Sequence, residues 1–357
     1  MTALIPEALT EAHLARRYRR QSGRRLSLLT LALALMAASV ALDLAIGPSG
    51  LPLGELLQLL ISPDALTPEK KLIVWDIRLP VALMALMVGA MLGAAGAEMQ
   101  TILNNPLADP FTLGISSAAS FGAALAIVLK LSLVPGIGVF LISANAFVMS
   151  LLTASALYAF TRMRGVTSET MVLAGIALMF TFNALLTLMQ YAATDIQLTQ
   201  IVFWMMGSLM RANWTKLGAC AAVLLVVLPW FMARNWSLTA LRMGDDKAAS
   251  LGVNVKRLRI EMLIGISLLA ATAVSLVGTI AFVGLVGPHI ARMLAGEDQR
   301  FFLPLSAACG AMILSMASIL SKAITPGIIY PIGMITSLIG IPFFIVMILA
   351  HRRRLWA

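Results

Sequence analysis

The sequence predicts an all-α polytopic membrane protein with ten transmembrane helices and both termini in the cytoplasm. Three observations carry this reading. Of the 357 residues, 60% are apolar and 12% charged, against roughly 25% charge in a soluble domain, and the mean hydropathy is +0.93. The apolar residues gather into ten runs, near 27–46, 77–104, 111–130, 137–160, 169–193, 214–233, 256–277, 279–295, 301–323 and 332–350. A crossing needs roughly 20 such residues, and lipid cannot satisfy an open backbone, so each run reads as a helix. With the N-terminus placed inside, 19 of the 26 Lys and Arg fall on the inner side and 7 on the outer, which is the bias that orients membrane proteins. The chain thus divides into a basic cytoplasmic segment (1–26), a ten-helix domain (27–350) and a basic cytoplasmic tail (351–357). The net charge of +10 belongs to this asymmetry and not to a nucleic-acid surface.

The first run follows an arginine-rich flank and reads LALALMAASVA, which has the parts of a secretory signal. Its full span length and the even number of crossings favour a span. The second run, from Arg78, places Gly89, Gly93 and Gly96 at i, i+4 and i+7, a small-residue ridge for close helix packing. Polar groups in a span face a bundle interior or a wet cavity. Gln100 therefore reads as a pathway residue, and Glu98 either as another or as a protonated acid paired with a neighbouring helix. The connection Asn105-Pro106-Leu107-Ala108-Asp109-Pro110 is stiffened by two prolines and reads either as an ordinary turn or as a rigid plug at the inner mouth of a pore.

The fifth run sets Asn183, Thr187 and Gln190 on one face, with Thr194 a turn further on; this polar stripe either bonds a neighbouring helix or lines a polar route. The short run 198–209, bounded by Asp195 and Arg211, is too brief to cross and reads as interfacial or re-entrant. Cys220 and Cys309 sit inside apolar runs as small packing residues.

Residues 236–252 form an inner loop of two short amphipathic helices. Ser237 is a candidate cap for the first and Asp245 or Asp246 for the second, which ends at Gly252. Leu241, Met243, Ala248 and Leu251 supply an apolar surface suited to a partner's groove. A helix lying on the membrane is disfavoured because the two aspartates would meet anionic headgroups. Arg78 and Lys322 stand on the outer side against the charge bias. Each reads either as snorkelling to headgroup phosphates or as docking an acidic partner. His13, His289 and His351 lie far apart, no metal-ligand spacing is present, and no G-x-x-x-x-G-K-[ST] occurs to cradle nucleotide phosphates. An enzyme is therefore a weak reading.

Arg78-Leu79-Pro80, the small-residue span ending in Gln100, Asn105 to Pro110 with Leu113-Gly114-Ile115, Leu173-Ala174-Gly175, Trp204 to Ser208, the Gly244 to Gly252 loop, Gly284-Leu285-Val286-Gly287-Pro288-His289-Ile290-Ala291-Arg292, and Pro331 to Phe344 occur in this order. Together they resemble the permeases of iron-siderophore, haem and cobalamin ABC importers, the FecCD family, from about residue 27 to 350. The resemblance implies a transport subunit of the bacterial inner membrane that pairs with a second copy or a homologous permease. It also implies two cytoplasmic ATPase subunits, which hold the ATP and Mg, and a periplasmic or lipid-anchored substrate-binding protein. By the same resemblance Leu241, Gly244, Asp245, Asp246, Ala248, Leu251 and Gly252 contact the ATPase. Asn105, Leu107, Ser168 and Glu169 form inner gates, the fifth and tenth spans flank the route, and Arg78 matches a position of the family pattern. A second arginine after Arg-Leu-Pro and an acid before Pro-x-Gly are replaced here by Val81 and by Ile329 or Tyr330. An ion-coupled carrier, with Glu98, Glu261 and Asp43 as coupling carboxylates, is the alternative.

Overall fold

The fold comes from a computed structural model, which describes residues 11–47, 54, 67–136, 138–161 and 168–355. It is helical, with no strand among the described residues. Helix α1 spans Glu11–Ala45, α2 Leu79–Ile102, α3 Ile115–Leu129, α4 Leu141–Thr161, α5 Ser168–Ala192, α6 Asp195–Met205 and α7 Trp214–Met232. Two short helices follow, α8 (Asn235–Leu241) and α9 (Asp245–Ser250), and then α10 (Val255–Val277), α11 (Val283–Ala295), α12 (Gln299–Ala323) and α13 (Ile332–Leu355). Each of the ten apolar runs is a helix. Seven of these helices are long and apolar enough to cross a membrane, while α3, α11 and the apolar part of α13 are shorter. The brief run 198–209 overlaps α6.

Three helices extend past their expected ends, α13 by continuing to Leu355 into the basic tail. α1 continues through the basic segment from Glu11, and α2 is the second half of a continuous helix from Pro68 to Ile102. At their junction Leu72–Arg78 forms wide π turns, closed by Leu79 N–H on the Val74 carbonyl. Pro80 explains the widening: it has no N–H to give and its ring crowds the carbonyl four residues back, so the register slips by one.

The packing centre is α2 against α12, with α11 and α10 around them. A Cβ at Gly89 would strike the Gly310 carbonyl, at Gly93 the Ser306 carbonyl, and at Gly96 the Gly284 carbonyl. The predicted small-residue ridge therefore brings α2 into backbone contact with α12 over two turns and with α11 at the third. Van der Waals contact is the main attraction between helices in lipid, so this ridge decides the arrangement.

The structure has two chemically distinct ends. At one, Arg25 pairs with Asp298 at 3.2 Å, Arg234 with Glu261 at 2.9 Å, and Arg259 with Asp245 at 2.9 Å. At the other, Lys322 pairs with Asp43, Arg78 donates to the Leu44 carbonyl at 2.6 Å, and Trp214 Nε1 donates to the Trp75 carbonyl at 3.1 Å. Those three contacts tie the last turn of α1 to α12 and the start of α7 to the helix that leads into α2.

Candidate functional site

The basic end carries the α8–α9 loop. Arg234 flanks α8 and Gly244 flanks α9, so neither Ser237 nor the aspartates occupy the caps expected of them. Gly244 (φ 103°) and Gly252 (φ 83°) hold the positive φ angles that only glycine takes without strain. Leu238, Leu241 and Ala248 are buried within the chain, which corrects the reading of Leu241 and Ala248 as surface offered to a partner. The cause is their register. On so short a helix one face must pack on the bundle, and that face takes the residues nearest α2, α10 and α12. Trp236, Met243, Asp246 and Leu251 are among the residues of the loop that remain exposed. Asp245 is engaged by Arg259, whose Nε also donates to the Ile102 carbonyl at the end of α2, 3.0 Å away.

Beyond α2 the elbow has defined geometry. Asn104 takes a left-handed φ of 47°. The Asn105 side chain accepts from Leu107 N–H at 2.9 Å, and Asp109 accepts from Phe111 N–H at 2.8 Å ahead of a 3₁₀ turn over Pro110–Leu113. These side-chain turns and two prolines leave the segment little freedom, and Leu107 projects from it, 43% exposed. Burial pushes the Asp109 carboxyl up to about 6, with the Phe111 N–H opposing. Helix α5 begins at Ser168, but the side chains of Ser168 and Glu169 lie outside the described residues.

Gln100 is separated from the polar stripe of α5. It is 1% exposed, and its Oε1 accepts from Arg292 Nη2 at 2.9 Å. Arg292 also lies 3.6 Å from Glu297, which accepts from Arg242. Gln100 thus joins α2 to the loop through two arginines, and it does not line an open route in the single chain. Arg242, Arg259, Arg292 and Glu297 tie the loop to the bundle, and the sequence singled out none of them as a candidate. Their one signal is position, since Arg242 and Arg259 bracket the loop and Arg292 closes the Gly284 to Arg292 segment.

On α5, Asn183 and Thr187 are exposed, and Gln190 reaches Met205 Sδ at 3.8 Å. Thr194 is no part of this stripe, because α5 ends at Ala192 and Thr194 caps α6 by accepting from Gln197 N–H. Phe180, Leu188 and Tyr191 of the same helix are also exposed. Arg78 and Lys322 do not project as docking charges. Arg78 is 7% exposed, as is the Lys322 side chain, whose partner Asp43 is fully buried. An ion in an apolar wall is held by whatever acceptors lie within reach, and here those are the end of α1.

The FecCD transport family model matches residues 28–350. The chain belongs to this family. As a FecCD permease it is 38% identical to the vitamin B12 import system permease of Vibrio vulnificus over 79% of this chain and 83% of that one. It is 36% identical to the hemin transport system permease of Yersinia pestis over 79% and 84%. A solved metal-chelate type ABC transporter in an inward-facing conformation superposes with a TM-score of 0.79 at 30% identity, covering 91% of this chain and 99% of that one. The FecCD chain is therefore a membrane-spanning ABC permease subunit. Membership disfavours the ion-coupled carrier, and so do two of the three carboxylates it required: Asp43 is held by Lys322, and Glu261 by Arg234 and Arg257.

Proposed function

We propose that this chain is the permease of an ATP-driven importer that carries an intact iron chelate, a ferric siderophore in preference to haem or cobalamin, across the bacterial inner membrane. The basic end faces the cytoplasm, all ten helices cross, and both termini are cytoplasmic. The observation that carries the reading is the α8–α9 loop. Its buried face is fixed to the bundle, while Met243, Asp246 and Leu251 remain outward as a small patch of the size a protein groove accepts. An ATPase subunit occupies that patch. The assembly has two such subunits, which bind ATP and Mg and hydrolyse the nucleotide, while this chain supplies no catalytic group and no metal.

A second copy or a homologous permease covers the open face of α5, so that Asn183, Thr187 and Gln190 look into the route between them. An uncharged stripe suits a bulky chelate handed over whole by a periplasmic or lipid-anchored binding protein, because no ion has to be stripped of water at each step. Asn105 and Leu107 stand at the inner mouth as a stiff gate. The substrate is tested by mass spectrometry of the ligand retained by the cognate binding protein purified with this permease. A ferric hydroxamate or catecholate supports the proposal. Haem or a corrinoid overturns the siderophore preference, and transport that runs on an ion gradient without ATP overturns the importer reading.

A further inference from the structure

Helix α1 does not stop at the membrane. Its apolar run begins at residue 27, but the helix starts at Glu11, so at 1.5 Å per residue about 24 Å of helix precedes the run. This extension lies outside residues 28–350, which the family model matches. Its two sides differ. Tyr18, Ser22 and Arg25 fall on one side, and that side is fastened to the start of α12. Arg25 pairs with Asp298 at 3.2 Å and lies 5.4 Å over the Phe301 ring, and Arg300 lies 5.9 Å over the Tyr18 ring. Arg16, Arg20 and Arg24, at i, i+4 and i+8, fall on the opposite side. All three are exposed, and none forms an ion pair among the described residues.

The fastening decides which partner these charges can meet. Asp298 caps α12, so its pairing with Arg25 leaves the earlier residues projecting past the beginning of that helix. Measured from residue 27, Arg24, Arg20 and Arg16 stand about 5, 11 and 17 Å out along the axis, whereas the headgroup layer is about 5–8 Å deep. Lipid phosphates therefore reach Arg24, while Arg16 lies beyond them by about one Debye length at physiological salt. Three like charges in register over about 12 Å of helix are matched by a protein surface that carries acids along the same line. The α11–α12 connection names the neighbour. Asp298 holds Arg25, and the adjacent Glu297 accepts from Arg242 at the end of α8. The extension and the α8–α9 loop thus rest on consecutive residues, so a protein seated on the exposed Met243, Asp246 and Leu251 lies beside the extension.

We propose that the arginine face of the α1 extension is a second contact for the ATPase subunit, receiving an acidic ridge of that subunit alongside the apolar patch of the α8–α9 loop. Exposed charges at the rim of a contact chiefly raise the association rate and make it salt-dependent. The inference rests on reading the basic end as cytoplasmic and the loop as the ATPase contact.

The test measures binding of the purified ATPase subunit to the full-length permease in nanodiscs of neutral phosphatidylcholine. Arg16→Glu combined with Arg20→Glu reverses the two charges that stand beyond the headgroups and leaves Arg24 and Arg25 to mark the inner side. At about 50 mM salt this variant should associate about tenfold more slowly than the parent, and at about 500 mM the two rates should agree within about twofold, because salt screens exposed charges. Its melting temperature should match the parent's. Arg16→Lys with Arg20→Lys keeps the charge and should associate at the parent's rate.

A reversed variant that associates as fast as the parent at low salt overturns the proposal while leaving the ATPase reading intact. Slowing that persists at high salt reports a distorted helix and overturns it as well. Slowing seen only in nanodiscs that contain phosphatidylglycerol assigns the stripe to lipid, with the same consequence. An ATPase subunit that binds no form of the permease overturns the reading on which the inference rests, so the two failures are distinguishable.

Discussion

Individual residues in this chain are constrained chiefly by how close backbones approach and by where charge is buried. Gly96 is the sharpest case, because a Cβ there would overlap the Gly284 carbonyl, whereas one at Gly218 on α7 would meet nothing within 4 Å. Gly96→Ala should cost about 3 kcal/mol or more, the upper range for overpacking against an unyielding neighbour, and Gly218→Ala should cost nothing. Melting of the purified variants in detergent checks the contrast. Asp109 gives a pH dependence with a definite sign. Burial raises its carboxyl from 3.8 to about 6, so the folded state holds the proton more tightly than the unfolded state. Its contribution to stability is full below the unfolded value and is lost as pH rises through about 6. Asp109→Asn should remove that slope, so the variant gains on the parent in melting temperature between pH 4 and pH 7. Parallel profiles would show that the carboxyl titrates normally.

At the scale of elements, the buried Lys322–Asp43 pair fastens the end of α1 to the end of α12. Lys322→Ala removes the ion-pair partner of the fully buried Asp43 and should cost about 3–5 kcal/mol, while Lys322→Met combined with Asp43→Asn should regain most of the loss, because breaking a buried pair is worse than replacing it. Thermal denaturation of the three proteins decides between an anchor and a docking charge. If Lys322→Ala melts like the parent, the anchor assignment is wrong. On the proposed reading, the α8–α9 loop separates a folding role from a contact role within one element. Leu251→Asp and Asp246→Lys, on the exposed side, should abolish co-purification of the ATPase with melting unchanged, whereas Leu241→Asp should lower the melting temperature because that side chain is buried.

At the scale of the whole molecule, the single chain leaves α5 largely uncovered. α5 has only 17% of its apolar window buried and mixes exposed Phe180, Leu188 and Tyr191 with Asn183 and Thr187, a surface too polar for lipid and too apolar for an aqueous wall. The proposed pairing of two permeases across it would resolve both conflicts. Thr187→Cys should therefore form an oxidant-induced cross-link between copies in membranes, and Leu225→Cys, on the exposed side of α7, should not. Cross-linking at Leu225 and not at Thr187 would move the interface to α7.

Composition and charge bias determined the helical membrane class and the ten apolar helices, because hydropathy is a sum over local residues and requires no knowledge of neighbours. The glycine ridge on α2 was legible for the same reason: spacing alone put Gly89, Gly93 and Gly96 on one face, although only packing named α12 and α11 as what they touch. Charged residues were read less well. Arg78 and Lys322 have the sequence context of outward charges, yet the structure turns both onto the end of α1. Leu241 and Ala248 have the composition of a surface patch, yet they are core. In both cases the outcome depends on which buried acceptor or apolar wall the fold brings within a few ångströms. Those partners are distant in sequence, with Asp43 lying 279 residues from Lys322, and such distances are decided only when the helices pack.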